Sequence, residues 1–266
     1  MDTLFKDLQY ALRDLLKSRG FSIVAVLTLA LGIGGPTAMF SVIKAVVLRP
    51  LPFNNPDRLV QVQEYDVRRR SSQFRFSYPD FADVRARNHS FASIAAYTDD
   101  EVTATGFGEP RHVGVEKVTP GLFEMLGVHP SLGRSFQSEE DQPGHHVAVL
   151  SDAFWRGRFH ADPKIVGRSI ALNGRQFTIV GVMPRGFQFP ILSEGRDMWL
   201  TFSRSSESDE PGDTPMTAQR GNHGLQVIAS LKRGVSLPVA IADLGSIAHA
   251  LGSTYPGTNR YSGIRA

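Results

Sequence analysis

The first twenty residues follow a helical rhythm. Leu4, Phe5, Leu8, Ala11, Leu12, Leu15 and Leu16 recur at steps of three and four, with Lys6, Asp7, Arg13, Asp14 and Lys17 opposite them. That pattern predicts an amphipathic helix over 1–20. From Phe21 to Ile43 no residue carries a charge. A helix of that length, rising 1.5 Å per residue, reaches across a hydrocarbon core of about 30 Å. Residues 21–48 are therefore expected to form a transmembrane helix, and 1–20 an interfacial helix that meets it at Ser18-Arg19-Gly20.

A cleaved signal peptide is the competing interpretation, because Ala30-Leu31-Gly32 resembles a small-x-small cleavage site. The apolar run continues through Met39, Phe40, Val42 and Ile43 and resumes at Val46-Val47-Leu48, which is too long for a signal core. Lys6, Arg13, Lys17 and Arg19 before the span outnumber Lys44, Arg49 and Arg58 after it, so the N-terminus is expected in the cytoplasm. Ala30, Gly34 and Ala38 repeat every four residues, the spacing that lets a second membrane helix approach closely. Pro36 removes a backbone donor inside the same segment and predicts a kink.

Beyond the span the period shortens. Arg49 to Pro56 carries Pro50, Pro52 and Pro56 and reads as an extended exit. Strands are predicted at Leu59 to Gln63, Ile94 to Tyr97, His112 to Val118, Val147 to Leu150 and Val227 to Leu231, where apolar residues alternate or cluster. Helices are predicted from Ser77 to Asn88, from Gly121 to Gly127 with a glycine stop, and from Pro238 to Leu251. Asn173-Gly174 between Ile170-Ala171-Leu172 and Phe177-Thr178-Ile179-Val180 is a strong hairpin signal. Ser203 to Gly224 is polar and turn-rich, and reads as a long mobile loop. Interspersed strands and helices place the region 49–266 in the α+β class.

Composition removes several function classes. The 266 residues contain no cysteine, so disulfides, thiolate metal sites and cysteine nucleophiles are excluded. With 29 Lys+Arg against 26 Asp+Glu the net charge is only +3, too little for a nucleic-acid binder. Arg68-Arg69-Arg70 ahead of Phe74, Phe76 and Tyr78 is read as a solvated loop followed by core aromatics. No phosphate-binding loop, zinc-protease or nucleophile-elbow motif occurs. Glu139, Glu140, Asp141, His145 and His146 form the one cluster with metal-ligating chemistry. Adjacent residues on a strand point to opposite faces, so a solvated loop is favoured there and no metal or cofactor is expected. His89, His112, His129, His160, His223 and His249 show no ligand or triad spacing, and no catalytic residue is expected.

Several segments in order resemble one family. They are Leu29 to Gly34 leading into Thr37 to Val42, Leu48 to Phe53, Gly127 to Arg134, Trp155 to Phe159, Gly181 to Phe187, and Leu231 to Val235. Together they resemble MacB/FtsX-like ABC transporter permeases, and more narrowly the acidobacterial duplicated orphan permeases. The resemblance implies a periplasmic core domain of two α+β subdomains over 49–266, one inserted into the other at about 124–223. It implies a permease that does no chemistry itself and couples a separate cytoplasmic ATPase to motion of the periplasmic domain, in export or mechanotransmission. The expected partners are the membrane, the ATPase and further permease spans, with homo-oligomerisation open and no nucleic acid. The expected location is the inner membrane, with a single pass and a periplasmic C-terminal domain. Two departures are expected to matter. Pro36 stands where the family usually has asparagine, and the family's later spans have no counterpart before Ala266, which implies an incomplete permease. The alternative is a membrane-tethered periplasmic binding or sensor module that works without an ATPase.

Overall fold

The structure, a computed structural model, describes residues 19–46, 53–68, 73–106, 108–191, 195–208 and 212–266. Residues 1–18 of the expected interfacial helix and 49–52 of the extended exit lie outside these residues. The chain divides into two compact units, Met1–Pro52 and Phe53–Ala266.

The first unit contains the helix α1 (Arg19–Val46), 28 residues long. At 1.5 Å per residue it is about 42 Å in length, more than a hydrocarbon core requires. Within it, Ser22–Phe40 is the stretch apolar and long enough to cross a membrane. Leu31, Met39 and Ile33 are exposed. The two threonines turn their hydroxyls inward, Thr28 Oγ1 donating to the Val24 carbonyl at 2.8 Å and Thr37 Oγ1 to that of Ile33 at 2.6 Å. This is how a polar side chain is satisfied when no water is at hand. The helix continues through Pro36.

The second unit is built on a mixed sheet whose strands follow the order β11-β1-β10-β3-β4-β9-β6-β8-β5, with β2 against β1 and β7 against both β3 and β8. The strands are β1 (Leu59–Asp66), β2 (Gln73–Phe74), β3 (Phe91–Thr105), β4 (Arg111–Val118), β5 (Leu132–Gly133), β6 (Val147–Leu150), β7 (Ser169–Leu172), β8 (Arg175–Val182), β9 (Met198–Leu200), β10 (Gln226–Leu231) and β11 (Ser262–Arg265). The helices are α2 (Tyr78–Arg87), α3 (Leu122–Leu126), α4 (Asp152–Phe159), α5 (Leu237–Thr254) and α6 (Pro256–Asn259). β4 with β9 and β6 with β8 run parallel; the other pairs are antiparallel. The α+β class expected from the sequence is the class observed.

β3 is the spine. Its first half pairs with β10 through Tyr97↔Gln226 to Phe91↔Leu231, and its far end pairs with β7 through Ala104↔Leu172. Because side chains alternate along a strand, Ile94 and Ala96 join one hydrophobic cluster while Ala95 and Tyr97 join another across the sheet. The first cluster packs Val62, Val227 and Ala229 of the sheet beneath Phe81 and Val84 of α2 and Leu244, Ile247 and Leu251 of α5. The second gathers Phe123 and Leu126 of α3, Val149, Val180 and Trp199. A third, farther along β3, holds Val102, Ala104, Val115, Leu150, Ile179 and Phe154 of α4.

The described residues of the expected polar loop, 203–208 and 212–224, are irregular but tied down. They contain two short 3-10 turns, Arg204–Ser206 and Met216–Ala218, and Ser203 and Ser205 are buried.

Candidate functional site

The acidic and histidine cluster of residues 139–146 is dispersed by the fold. Arg134 grips Glu140 with two bonds, Nη2 to Oε1 at 2.6 Å and Nη1 to Oε2 at 2.9 Å. Burial works against the Glu140 charge, but the Arg134 bonds and the Gln137 amide outweigh it and hold the carboxyl below its usual value. Asp141 accepts from the Tyr78 hydroxyl at 2.6 Å and the Phe202 amide at 2.9 Å, and burial raises its pKa. His146 lies 2.7 Å from Glu207 and stacks on Phe177, while Glu139 and His145 are exposed. These groups turn to different partners and fasten the loop rather than converge on one point.

The charged groups that do converge are Glu64, Asp80, Asp83, Arg220 and His223. β1 places Val60, Val62 and Glu64 on its helix-covered face by alternation, so the carboxylate enters a face otherwise lined with apolar side chains. α2 begins with the helix-start signature Ser77-Tyr78-Pro79-Asp80. Ser77 caps it by accepting the Asp80 amide at 3.2 Å and donates its hydroxyl to Asp80 Oδ2 at 2.7 Å. A carboxylate in the first turn is also favoured by the helix dipole. The other Asp80 oxygen, Oδ1, accepts from Arg220 Nη1 and from Asn259 Nδ2 of α6, the latter at 2.7 Å. Arg220 Nη2 reaches Asp83 at 2.7 Å, and its guanidinium lies over the Tyr255 ring at 3.7 Å. Five donors in a fixed fork suit Arg for such a bidentate clamp.

His223 completes the group. Its Nδ1 stands 3.0 Å from Glu64 Oε2 and 2.9 Å from the Arg75 carbonyl. A carbonyl oxygen only accepts, so Nδ1 is the nitrogen that carries hydrogen. Glu64 is 1% exposed, and its Oε1 has no hydrogen-bond partner among the described residues. Burial pushes the Glu64 carboxyl up to about 7, and the hydrogen bond to Glu64 raises His223.

Glu64, Asp80 and His223 offer ligand atoms within 4.8 Å of one another, which invites a test of cation binding. The donor set does not fit. Asp80 already takes three donors, one of them a guanidinium, and the Nδ1 lone pair is replaced by a proton directed at a backbone oxygen. A dication would have to displace both. What the arrangement can do is take up and release protons while joining β1, α2, α6 and the connection 212–225.

His223 was grouped in the sequence with histidines that lack ligand spacing, and its pairing with Glu64 was not foreseen, because that partner lies 159 residues away, as Asp80 lies 140 from Arg220 and 179 from Asn259. No local spacing reports pairs so distant; the only sequence signal was the Ser77-x-x-Asp80 cap. Ala30, Gly34 and Ala38 are exposed on α1, and Gly34 has no heavy atom near the position a Cβ would occupy. A separate polar cleft of about 620 Å³ is lined by Lys117, Arg204, Glu207 and Gln219. Lys117 is paired with Asp100 at 2.7 Å, and Glu207 with His146 and Arg175.

The chain is similar to known proteins at the level of fold. It resembles the extracellular domain of the noncanonic ABC-type transporter YknZ from Gram-positive bacteria, with a TM-score of 0.56 and 13% identity, covering 78% of this chain and all (100%) of that one. The periplasmic region of MacB from Actinobacillus actinomycetemcomitans aligns with a TM-score of 0.55 and 14% identity, over 80% of this chain and 89% of that one. A domain of a putative permease from Porphyromonas gingivalis gives a TM-score of 0.58 and 14% identity, over 80% and 89%. Comparison with curated protein sequences returns no match. A profile of the MacB-like periplasmic core domain matches residues 22–247, which include most of α1 and nearly all of the sheet. By that match, the chain belongs to the family of MacB-like periplasmic core domains.

Proposed function

We propose that this chain is the anchored periplasmic module of a MacB-type ABC transporter permease, which couples a separate cytoplasmic ATPase to motion of the periplasmic domain. The observation that carries this reading is the joining, within residues 22–247, of an apolar helix of membrane-spanning length to a MacB-like core domain. In this reading α1 crosses the inner membrane with its N-terminus in the cytoplasm, and the second unit lies in the periplasm. Residues 124–223 form the inserted subdomain, and their return carries Phe202, Arg220 and His223 back to the first core. Ala30, Gly34 and Ala38 are the stripe on which a neighbouring membrane helix packs, supplied by a permease partner or a second copy.

Crosslinking in native membranes followed by purification tests the reading. An ABC ATPase or a multi-span permease is expected to co-purify. Gly34→Leu is expected to lower the yield of the crosslinked partner about five-fold, as loss of roughly 1 kcal/mol of helix packing implies. Recovery of the folded chain alone would favour a tethered periplasmic sensor that works without an ATPase.

A further inference from the structure

Two buried carboxylates lie side by side in the second unit and are treated very differently. Asp80 is fully buried and takes three donors. Glu64 is 1% exposed, its Oε2 meets His223 Nδ1, and its Oε1 meets nothing among the described residues. A buried carboxylate with half its acceptor capacity unused is costly while it is ionised. His223 is partly exposed and lines a surface cleft of about 330 Å³ together with Asp66, Arg68 and Tyr261, so protons reach the pair from solvent.

The charges facing Glu64 set what each proton does. From α2 come Asp80 and Asp83, both engaged by Arg220. From the connection 212–225 come Arg220 and His223. The strap before α2 supplies the Arg75 carbonyl, and the Arg75 guanidinium is drawn to Asp99 at 3.6 Å. The end of α5 supplies Tyr255 beneath Arg220, while α6 supplies only the amide of Asn259. β11 supplies Arg265, which is directed to Gln63 and the Tyr65 ring. With His223 protonated, Glu64 has a cation in contact. With His223 neutral, an ionised Glu64 stands beside Asp80 without one.

We propose that Glu64 and His223 form a proton-operated latch, which fastens the 212–225 connection to β1 and α2 while the pair keeps its proton and loosens when the proton leaves. The connection runs directly into β10, the strand between β1 and β3. Its last residues are held by the Phe76–Leu225 bridge and by Thr98 Oγ1 on the Gly224 carbonyl at 3.1 Å. Loosening therefore acts where the connection enters the central sheet. Burial raises Glu64 to about 7, and its hydrogen bond to Glu64 raises His223, so the two titrate as a coupled pair near neutrality. Both folded values lie above the unfolded ones. The contribution of the pair is thus fully present below the unfolded values and is lost as pH rises through about 7. The latch is closed at pH 6 and weakened at pH 8.

Hydrogen–deuterium exchange on the full chain in detergent micelles, corrected for intrinsic exchange, tests this. Peptides covering 212–224 are expected to lose protection between pH 6 and pH 8, by up to about ten-fold for each unit that the pair's titration is displaced. Glu64→Gln copies the protonated carboxyl, and His223→Asn keeps a donor nitrogen that does not titrate. Glu64→Gln is expected to show a diminished step, and His223→Asn, which leaves the buried Glu64 to titrate without its cation, a step moved to higher pH. Equal wild-type protection at pH 6 and pH 8, or an undiminished step in folded Glu64→Gln, would overturn the latch. Should neither variant fold, the wild-type midpoint decides: a step near 7 supports the latch, and a step below pH 5 overturns it.

Discussion

Asp80 shows how much one side chain can hold when the helix start, a buried cation and a terminal turn all meet it. Asp80→Ala would leave Arg220 and Asn259 facing an empty acceptor and would remove the bond from the Ser77 hydroxyl. Arg220 would keep Asp83, but its Nη1 and the Asn259 amide would be buried without an acceptor, and a loss of about 3 kcal/mol is expected in the urea unfolding of the full chain. Asp80→Asn keeps shape but not charge and should lose less. Tyr97 belongs to a second buried set at this scale: burial and the nearby Glu116 carboxylate push its hydroxyl up to about 12. Glu116 itself is buried, raised to about 7 by burial, and held by Arg196 at 2.8 Å. Arg196→Met removes the cation that favours ionised Glu116. Its pKa is expected to rise further, seen as a carboxyl titration moved to higher pH by infrared difference spectroscopy.

At the scale of elements, the segment Gly127 to Arg134 acquires a physical account. Gly127 ends α3 in the left-handed region at φ 71, with the Asn54 side chain packed where a Cβ would stand. Gly133 has φ 75 and pairs with Gly181 of β8, and a Cβ on it would run into the Val180 carbonyl. The two glycines let the loop after α3 lie directly on β8. Gly133→Ala combines left-handed strain with a backbone collision and is expected to cost about 2 kcal/mol, read as a lowered thermal midpoint. The Asn173-Gly174 turn forms the hairpin expected of it and does one thing more: Asn173 bonds to Thr103 of β3 through both its side chain and its amide. β3 extends well beyond the Ile94 to Tyr97 segment its apolar residues marked because it pairs with β4 from Tyr97 to Ala104, and the hairpin docks on its far end.

For the whole molecule, β3 and Trp199 join what local patterns leave separate. Trp199 is fully buried, its Nε1 donates to the Phe189 carbonyl at 2.9 Å, and Phe123 meets it in a T-shaped contact and Phe187 in a tilted one. Trp199→Ala is expected to cost about 3–5 kcal/mol in equilibrium unfolding. The apolar stretch Ser22–Phe40 makes a separate demand. Its exposed Leu31, Ile33 and Met39 require cover by lipid or another helix, and the chain is expected to stay in the membrane fraction after alkaline carbonate washing.

Elements whose signal is local were legible in the sequence. The charge-free run that became α1, the Ser77 cap of α2, the glycine stop of α3 and the Asn173-Gly174 hairpin each depend on residues within a turn or two of one another. β9, with only Met198–Leu200, has too few residues to display a period, and it is a strand because β4 and β6 lie on either side of it. The polar stretch from Ser203 to Gly224 looks like free loop because its partners are elsewhere in the chain. Its anchors, Glu64, Asp80 and Asp83, become neighbours only after the sheet has brought β1 beside β10 and laid α2 across them. Periodicity and caps are short-range properties that a linear chain displays. The pairing of buried charges depends on long-range contacts, and only the folded sheet decided it.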